Sequence, residues 1–231
     1  MKELKYKCTL LSDVILNVKS STEGNQQTLD FIPGNNFLGI VASQLYFDEK
    51  HSNDRMNNED SWLVFHSGKV RFGDAHPVAE DYDTIRTLRI PASMFYPKMK
   101  KASQECYIHH FYNRDNDDKG ENKGPQQLKQ CRSGFYVFCN NTGHPSAIDK
   151  QFAIKSAYSR TNRRSKDECM YGYESLCKGM VLLFSVEMDD NCDELLKNKI
   201  KSALCGKRHI GRSRTAQYGL VEIEETDYNE V

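Results

Sequence analysis

GKRHIGRSRTAQYG, residues 206–219, stands between a helical pattern and the last strand pattern of the chain. Three glycines (Gly206, Gly211, Gly219) frame Lys207, Arg208, Arg212 and Arg214, together with His209, Ser213, Thr215 and Tyr218. Glycine lets backbone amides approach a phosphate closely, and arginine offers forked donors to its oxygens. Such a turn suits a chain of phosphates rather than one nucleotide. It is not a P-loop: no Gly-Lys-Ser/Thr opens a helix, and a helix precedes the segment instead. A glycine-rich loop that holds no ligand is the other reading of the same residues.

Outward from this segment, residues 193–204 place Leu195, Leu196, Ile200 and Leu204 on one helical face, with Asp190 or Asn191 as the cap and Gly206 as the stop. Residues 180–188 and 152–158 read as strands, and 219–224 as a final short strand. At the other end, 4–18 reads as a strand bent near Ser12-Asp13. Phe31-Ile32-Pro33-Gly34 then leads into a helix through Phe37, Ile40, Val41, Gln44 and Leu45, with Asn35 or Asn36 as its cap. Residues 62–72 have strand character around a Ser67-Gly68 turn, and 113–127 (NRDNDDKGENKGPQQ) is a polar low-complexity stretch. The pattern predicts one α+β domain over 1–231, with 48–61 and 97–133 as loop insertions within it.

Lysine plus arginine is 32 and aspartate plus glutamate is 32, so the net charge is zero and attachment to nucleic acid by bulk positive charge is excluded. The charge is nevertheless segregated. Residues 151–166 hold Lys155, Arg160, Arg163, Arg164 and Lys166 with no acid, and 201–215 hold five more bases with none. Residues 221–231 hold five acids and no base. Two acid-free basic stretches point to a polyanion or form two solvated loops. No apolar run approaches the roughly 20 residues of a membrane span, and MKELKYKCTLLSD lacks the apolar core of a signal peptide. Eight cysteines without a CxxC read as reduced thiols, so the expected location is the cytoplasm.

Three segments together resemble the RAMP superfamily of CRISPR effector subunits. LDFIPGNNFLGIVASQLY (29–46) is similar to the family's isoleucine-proline-glycine segment and first helix. AIKSAYSRTNRRSKDECMYGYESLCKGMVLLFSVEM (153–188) is similar to its central hairpin region, and CGKRHIGRSRTAQYGLVEI (205–223) to its C-terminal glycine-rich loop and final strand. The three cover about a third of the chain in the expected order. The resemblance implies a ferredoxin-like, RRM-like antiparallel sheet backed by helices, and a type III (III-D-like) subunit binding CRISPR RNA beside other RAMP subunits in antiviral defence. Carried onto this chain, it implies RNA contacts at Gly206, Lys207, Arg208, His209, Gly211, Arg212, Ser213, Arg214 and Gly219, and at Arg160, Arg163 and Arg164. Asn35 and Asn36 stand where the family often has serines, so the contact implied there is a backbone one. The residues themselves agree on one point: basic loops with hydroxyls and tyrosines suit single-stranded RNA. Tyr158 and Tyr218 are then candidate stacking platforms, unless they are core tyrosines.

Two nuclease roles exist in that superfamily. Repeat-processing members use a histidine as general base toward a ribose 2′-hydroxyl. His66, His76 and His209 lie beside ordered segments, with His209 inside the loop, where another phosphate or base contact is the favoured reading. Target-cleaving members use an aspartate between the first strand and the isoleucine-proline-glycine segment. Here that loop is VKSSTEGNQQTLD, whose aspartate, Asp30, sits at its very end. The expectation is therefore a non-catalytic subunit, with a RAMP endoribonuclease and an RNA-free ferredoxin-like interaction module as alternatives. No cofactor is expected. Cys106, His109, His110, Cys131 and Cys139 bracket the polar stretch and form a zinc alternative of irregular spacing.

Overall fold

Leu4, Tyr6, Cys8 and Leu10 are buried and alternate with the more accessible Lys5, Lys7 and Thr9, the period of a strand with one face on a core. In the computed structural model, which describes residues 2–19, 25–46, 56–79, 82–101, 106–111, 127–139, 142–146, 148–190, 192–214 and 217–230, that strand is central. The chain begins β1 (Lys2–Leu10), β2 (Asn25–Gln26), α1 (Gly34–Leu45), α2 (Asn58–Phe65) and β3 (Val70–Phe72). It continues through β4 (His76–Ala79), β5 (Tyr82–Arg86), β6 (Leu88–Arg89), β7 (Met94–Pro97), β8 (Tyr107–Ile108), β9 (Leu128–Gln130), β10 (Phe135–Cys139) and β11 (Thr142–Pro145). It closes with β12 (Lys150–Ser159), β13 (Arg164–Leu176), β14 (Val181–Met188), α3 (Glu194–Leu204), β15 (Gly206–His209), β16 (Leu220–Glu225) and β17 (Asn229–Glu230).

These elements fall into two compact units, one of residues 1–75 with 148–227 and one of residues 76–147 with 228–231. In the first, an antiparallel sheet runs β15-β16-β1-β14, with β3 added on β14. Strands from the two ends of the chain thus share one sheet, the α+β, ferredoxin-like arrangement expected. Tyr6 pairs with Phe184 across β1 and β14, and Phe184 stacks on Phe37 of α1 with centroids 3.7 Å apart. Leu196, Ile200, Ala203 and Leu204 of α3 join the same core. By strand alternation the other face carries Lys5, Lys7 and Thr9, Ser185 and Glu187, and Glu222 and Glu224; Lys7 pairs with Glu224 at 2.9 Å. The same face carries Leu183, which is buried, and Leu220, whose partner in the register is His209.

Local physics departs from the sequence reading at the starts of α1, α2 and α3. Residues 62–72 were expected to be strand-like and 48–61 a loop, yet Asn58–Phe65 is a helix. Asn57 caps it by accepting the Asp60 amide at 2.7 Å, and Glu59 and Asp60 suit the positive end of the helix dipole. The contiguous run Trp62-Leu63-Val64-Phe65 hid a helical face of Ser61 and Val64; residues 48–55 lie outside the described residues. The cap of α3 is Asp193, whose Oδ1 accepts the Leu196 amide at 2.7 Å, rather than Asp190 or Asn191. Asp193→Ala is expected to lower stability by about 1 kcal/mol, read from a urea midpoint. Asn35 and Asn36 do not cap α1: the helix opens at Gly34 after Pro33, and the Gly34 amide donates to Asp74 Oδ1 at 2.8 Å.

In the second unit, short strands form the ribbons β11-β10-β6 and β8-β7-β9, while β5 pairs β4 and β17. A small core of Met94, Cys106, Cys131 and Tyr136 holds the β8-β7-β9 ribbon. The expected insertion 97–133 falls in this unit, and its residues 112–126 lie outside the described ones.

Candidate nucleic-acid interface

The helix α3 ends as expected, with Gly206 at φ +91° just past its last turn. The residues that follow are not a loop from the outset: Gly206–His209 form β15, paired with β16 from Gly206↔Ile223 to His209↔Leu220. After His209 the strand ends, and the described backbone there is committed inward. The Ile210 amide donates to Gly219 O (2.9 Å), the Arg212 amide to Ile15 O (2.9 Å) and the Gly219 amide to Asp13 O (2.8 Å). Gly211 (φ +71°) and Gly219 (φ +86°) lie so close to the Ile15 and Ile210 carbonyls that a β-carbon at either would overlap them. These glycines therefore serve the packing of the loop, and the amides of Ile210, Arg212 and Gly219 face protein carbonyls.

The basic side chains divide by role. Arg208 donates Nε to Ala203 O (2.7 Å), Nη2 to Ser202 O (3.0 Å) and Nη1 to Lys207 O (3.0 Å), a cation closing the C-terminal carbonyls of α3. Arg208→Ala is expected to lower stability by about 1–2 kcal/mol, read from a thermal or urea melt. Arg212 donates Nη1 to Gln26 Oε1 (2.6 Å), and its guanidinium lies 5.4 Å from the Tyr173 ring centroid. Tyr218 is buried, with Lys155 Nζ 4.5 Å from its ring centroid, so it is a core tyrosine and not a stacking platform. Tyr158 is 64% exposed near the end of β12. Lys207, His209 and Arg214 are exposed, and among the described residues none of their side chains has a hydrogen-bond partner. Arg160 and Arg163 are exposed in the turn between β12 and β13, and Arg164 is exposed at the start of β13; Arg163 takes a left-handed φ of +49°, as does Ser213 at +57°.

A groove of about 370 Å³ brings two distant sequence segments together. One wall is α1, through Asn35, Asn36, Gly39, Ile40, Ser43 and Gln44; the other is residues 208–211 with Arg214. The α1 wall follows helical spacing, a polar stripe beside the core face of Phe37, Ile40 and Val41. Gly39, Ser43 and Gln44 were not singled out as site residues, though that spacing in the sequence is the signal that places them. Two amides of this wall are fixed: Gln44 Nε2 donates to Ala203 O (3.0 Å) and Asn36 Nδ2 to Pro33 O (3.2 Å). Among the described residues the lining holds Arg208, His209 and Arg214 and no acid, so the groove favours an anion. A β-carbon at Gly39 would meet nothing within 4 Å. Gly39→Ala is expected to raise stability by about 0.5–1 kcal/mol in a urea melt while narrowing the groove by a methyl group.

The remaining candidates lie apart from the groove lining. Asp30 pairs with Lys150 Nζ at 2.5 Å; the same ammonium donates to Thr28 O (3.0 Å) and lies 3.4 Å from Glu174. His66 shares a 3.0 Å hydrogen bond with the Tyr46 hydroxyl, and His76 Nδ1 with Thr87 O at 2.9 Å. Cys106 and Cys131 are brought together, Sγ to Sγ 3.1 Å. His109 is exposed with its ring tilted against Phe95, His110 is exposed, and the Cys139 side chain lies outside the described residues. Among the described residues no three metal-ligating side chains cluster, and no helix is long and apolar enough to cross a membrane.

No family model and no curated protein matches the chain. Among solved structures it is similar to a chain of the type III-B Cmr-beta bound to cognate target RNA, with a TM-score of 0.56 at 10% identity over 97% of each chain. It is similar also to a chain of Cmr-beta in the apo state, with a TM-score of 0.53 at 11% identity over 97% of each. At these identities the likeness is one of fold, and the fold anticipated from the resemblance to the RAMP superfamily is the one found.

Proposed function

We propose that this chain is a non-catalytic CRISPR RNA-binding subunit of a cytoplasmic, type III-like effector ribonucleoprotein. The observation that carries this reading is the groove between α1 and the 208–214 segment, whose lining among the described residues holds no acid and includes residues that the resemblance assigned to RNA from both ends of the chain. The Cmr-beta chain of similar fold belongs to an assembly bound to RNA, which supports the same kind of assembly here. In this account Lys207, His209 and Arg214 hold phosphates, while Arg208 and Arg212 act by fixing the loop. Contacts in this reading come from the 207–214 segment and from Arg160, Arg163 and Arg164.

The non-catalytic reading takes Asp30, whose carboxylate is held by Lys150, as a structural ion pair and His209 as a phosphate or base contact. A ribonuclease reading rests on His209 lining the groove, and the two separate cleanly. Labelled repeat RNA incubated with the protein is expected to stay intact at neutral pH. A discrete cut that disappears in His209→Ala with binding retained overturns the non-catalytic reading. Binding itself is tested by fluorescence anisotropy of a labelled single-stranded RNA across a salt series. The log of the affinity is expected to fall linearly with log salt, by about 0.7 for each phosphate held. No binding at 50 mM salt contradicts the proposal.

A further inference from the structure

We propose that Cys106 and Cys131 form a thiol pair that closes to a disulfide when the protein meets a small-molecule disulfide oxidant. The pair lies inside the small core of the second unit, with the sulfurs 3.1 Å apart although the residues are 25 positions apart in sequence. A disulfide needs a sulfur separation of about 2 Å, so closure moves the sulfurs by about 1 Å. Their placement gives the bond a mechanical role. Cys106 directly precedes β8 and Cys131 directly follows β9, the two strands that flank β7, and the Cys131 amide already donates to Met94 O at 2.9 Å. A cross-link there ties both edges of the ribbon.

The two sulfurs stand as a close thiol pair. A structural zinc takes four ligands, and among the described residues no third metal-ligating group joins these two sulfurs. The chemistry balances without further reagents when oxidised glutathione is the oxidant. One thiol, deprotonated, attacks a glutathione sulfur and expels one glutathione thiolate, leaving a mixed disulfide. The second thiolate attacks the protein sulfur and expels the other. Two protein thiols become one disulfide, two electrons pass to the reagent, and two reduced glutathiones leave. Both sulfurs are buried, and burial pushes the Cys106 thiol up to about 12, so attack proceeds through local opening of the ribbon and is slow.

The test uses the full chain incubated with oxidised glutathione, then alkylated under denaturing, non-reducing conditions and mapped by mass spectrometry. The expected product is a cross-linked peptide pair joining Cys106 to Cys131, two hydrogens lighter than the sum of the reduced peptides. A melt of the oxidised chain is expected to show one transition raised by several degrees, with Cys131→Ala abolishing both changes and Cys192→Ala neither. Full alkylation of both thiols, separate mixed disulfides at each, or pairing of either with another cysteine overturns the proposal. Stoichiometric zinc that protects both thiols until chelated also overturns it. Should Cys131→Ala fail to fold, the peptide map of the unaltered chain decides alone.

Discussion

Replacing Gly219 with alanine is expected to lower stability by about 3–5 kcal/mol, the sum of a left-handed φ forced on a residue with a β-carbon and displacement of a neighbouring carbonyl. Gly219 sits at φ +86°, and a β-carbon there would overlap Ile210 O, the residue whose amide it accepts. Moving that carbonyl endangers the Gly219 amide's bond to Asp13 O as well, since one short segment carries both. Gly179 separates the two causes. It has a similar φ of +94° with nothing within 4 Å of the added carbon, so Gly179→Ala is expected to cost only about 1 kcal/mol. Urea midpoints of both variants give the comparison. Equal losses at the two sites mean that Gly219 does not approach the Ile210 carbonyl as described.

Arg214 and Arg212 are two residues apart in a basic stretch and are expected to fail in different ways. Arg214 is exposed on the groove, so Arg214→Ala is expected to leave stability within about 0.5 kcal/mol. Under the proposed function it weakens single-stranded RNA binding about tenfold and lowers the salt slope by about 0.7; with Lys207→Ala added, the loss reaches roughly a hundredfold. Arg212 is held by Gln26 and the Tyr173 ring, so Arg212→Ala is expected to cost about 1.5–3 kcal/mol of stability. Its effect on RNA follows from a loosened loop and leaves the salt slope close to the unaltered value. Paired urea melts and anisotropy titrations test both arms. An Arg212→Ala variant of full stability whose salt slope drops like that of Arg214→Ala assigns Arg212 to phosphate instead.

That contrast marks where the sequence was legible. Residue type and spacing place Leu196, Ile200 and Leu204 on one face of α3, Phe37, Ile40 and Val41 on one face of α1, and β1 in a sheet, because burial on one side writes a period into the chain. They do not say which arginine meets which carbonyl. Arg208, Arg212 and Arg214 look alike in the sequence, and only the fold shows one closing the end of α3, one clamped between Gln26 and Tyr173, and one on the groove. Gly211 and Gly219 were legible as close-approach positions, but what approaches is the chain's own Ile15 and Ile210. The helix at Asn58–Phe65 was missed because four consecutive apolar residues carry no period, while the Asn57 cap that marks its start was within reach. The groove joins Asn35 to Arg214, a pairing that no local pattern encodes.

The most direct measurement is purification of this chain with its genomic neighbours, followed by extraction and sequencing of the RNA that co-elutes. The account predicts short RNAs sharing a constant 5′ end, in one peak with neighbouring subunits. An RNA-free monomer that ignores added repeat RNA at low salt contradicts it.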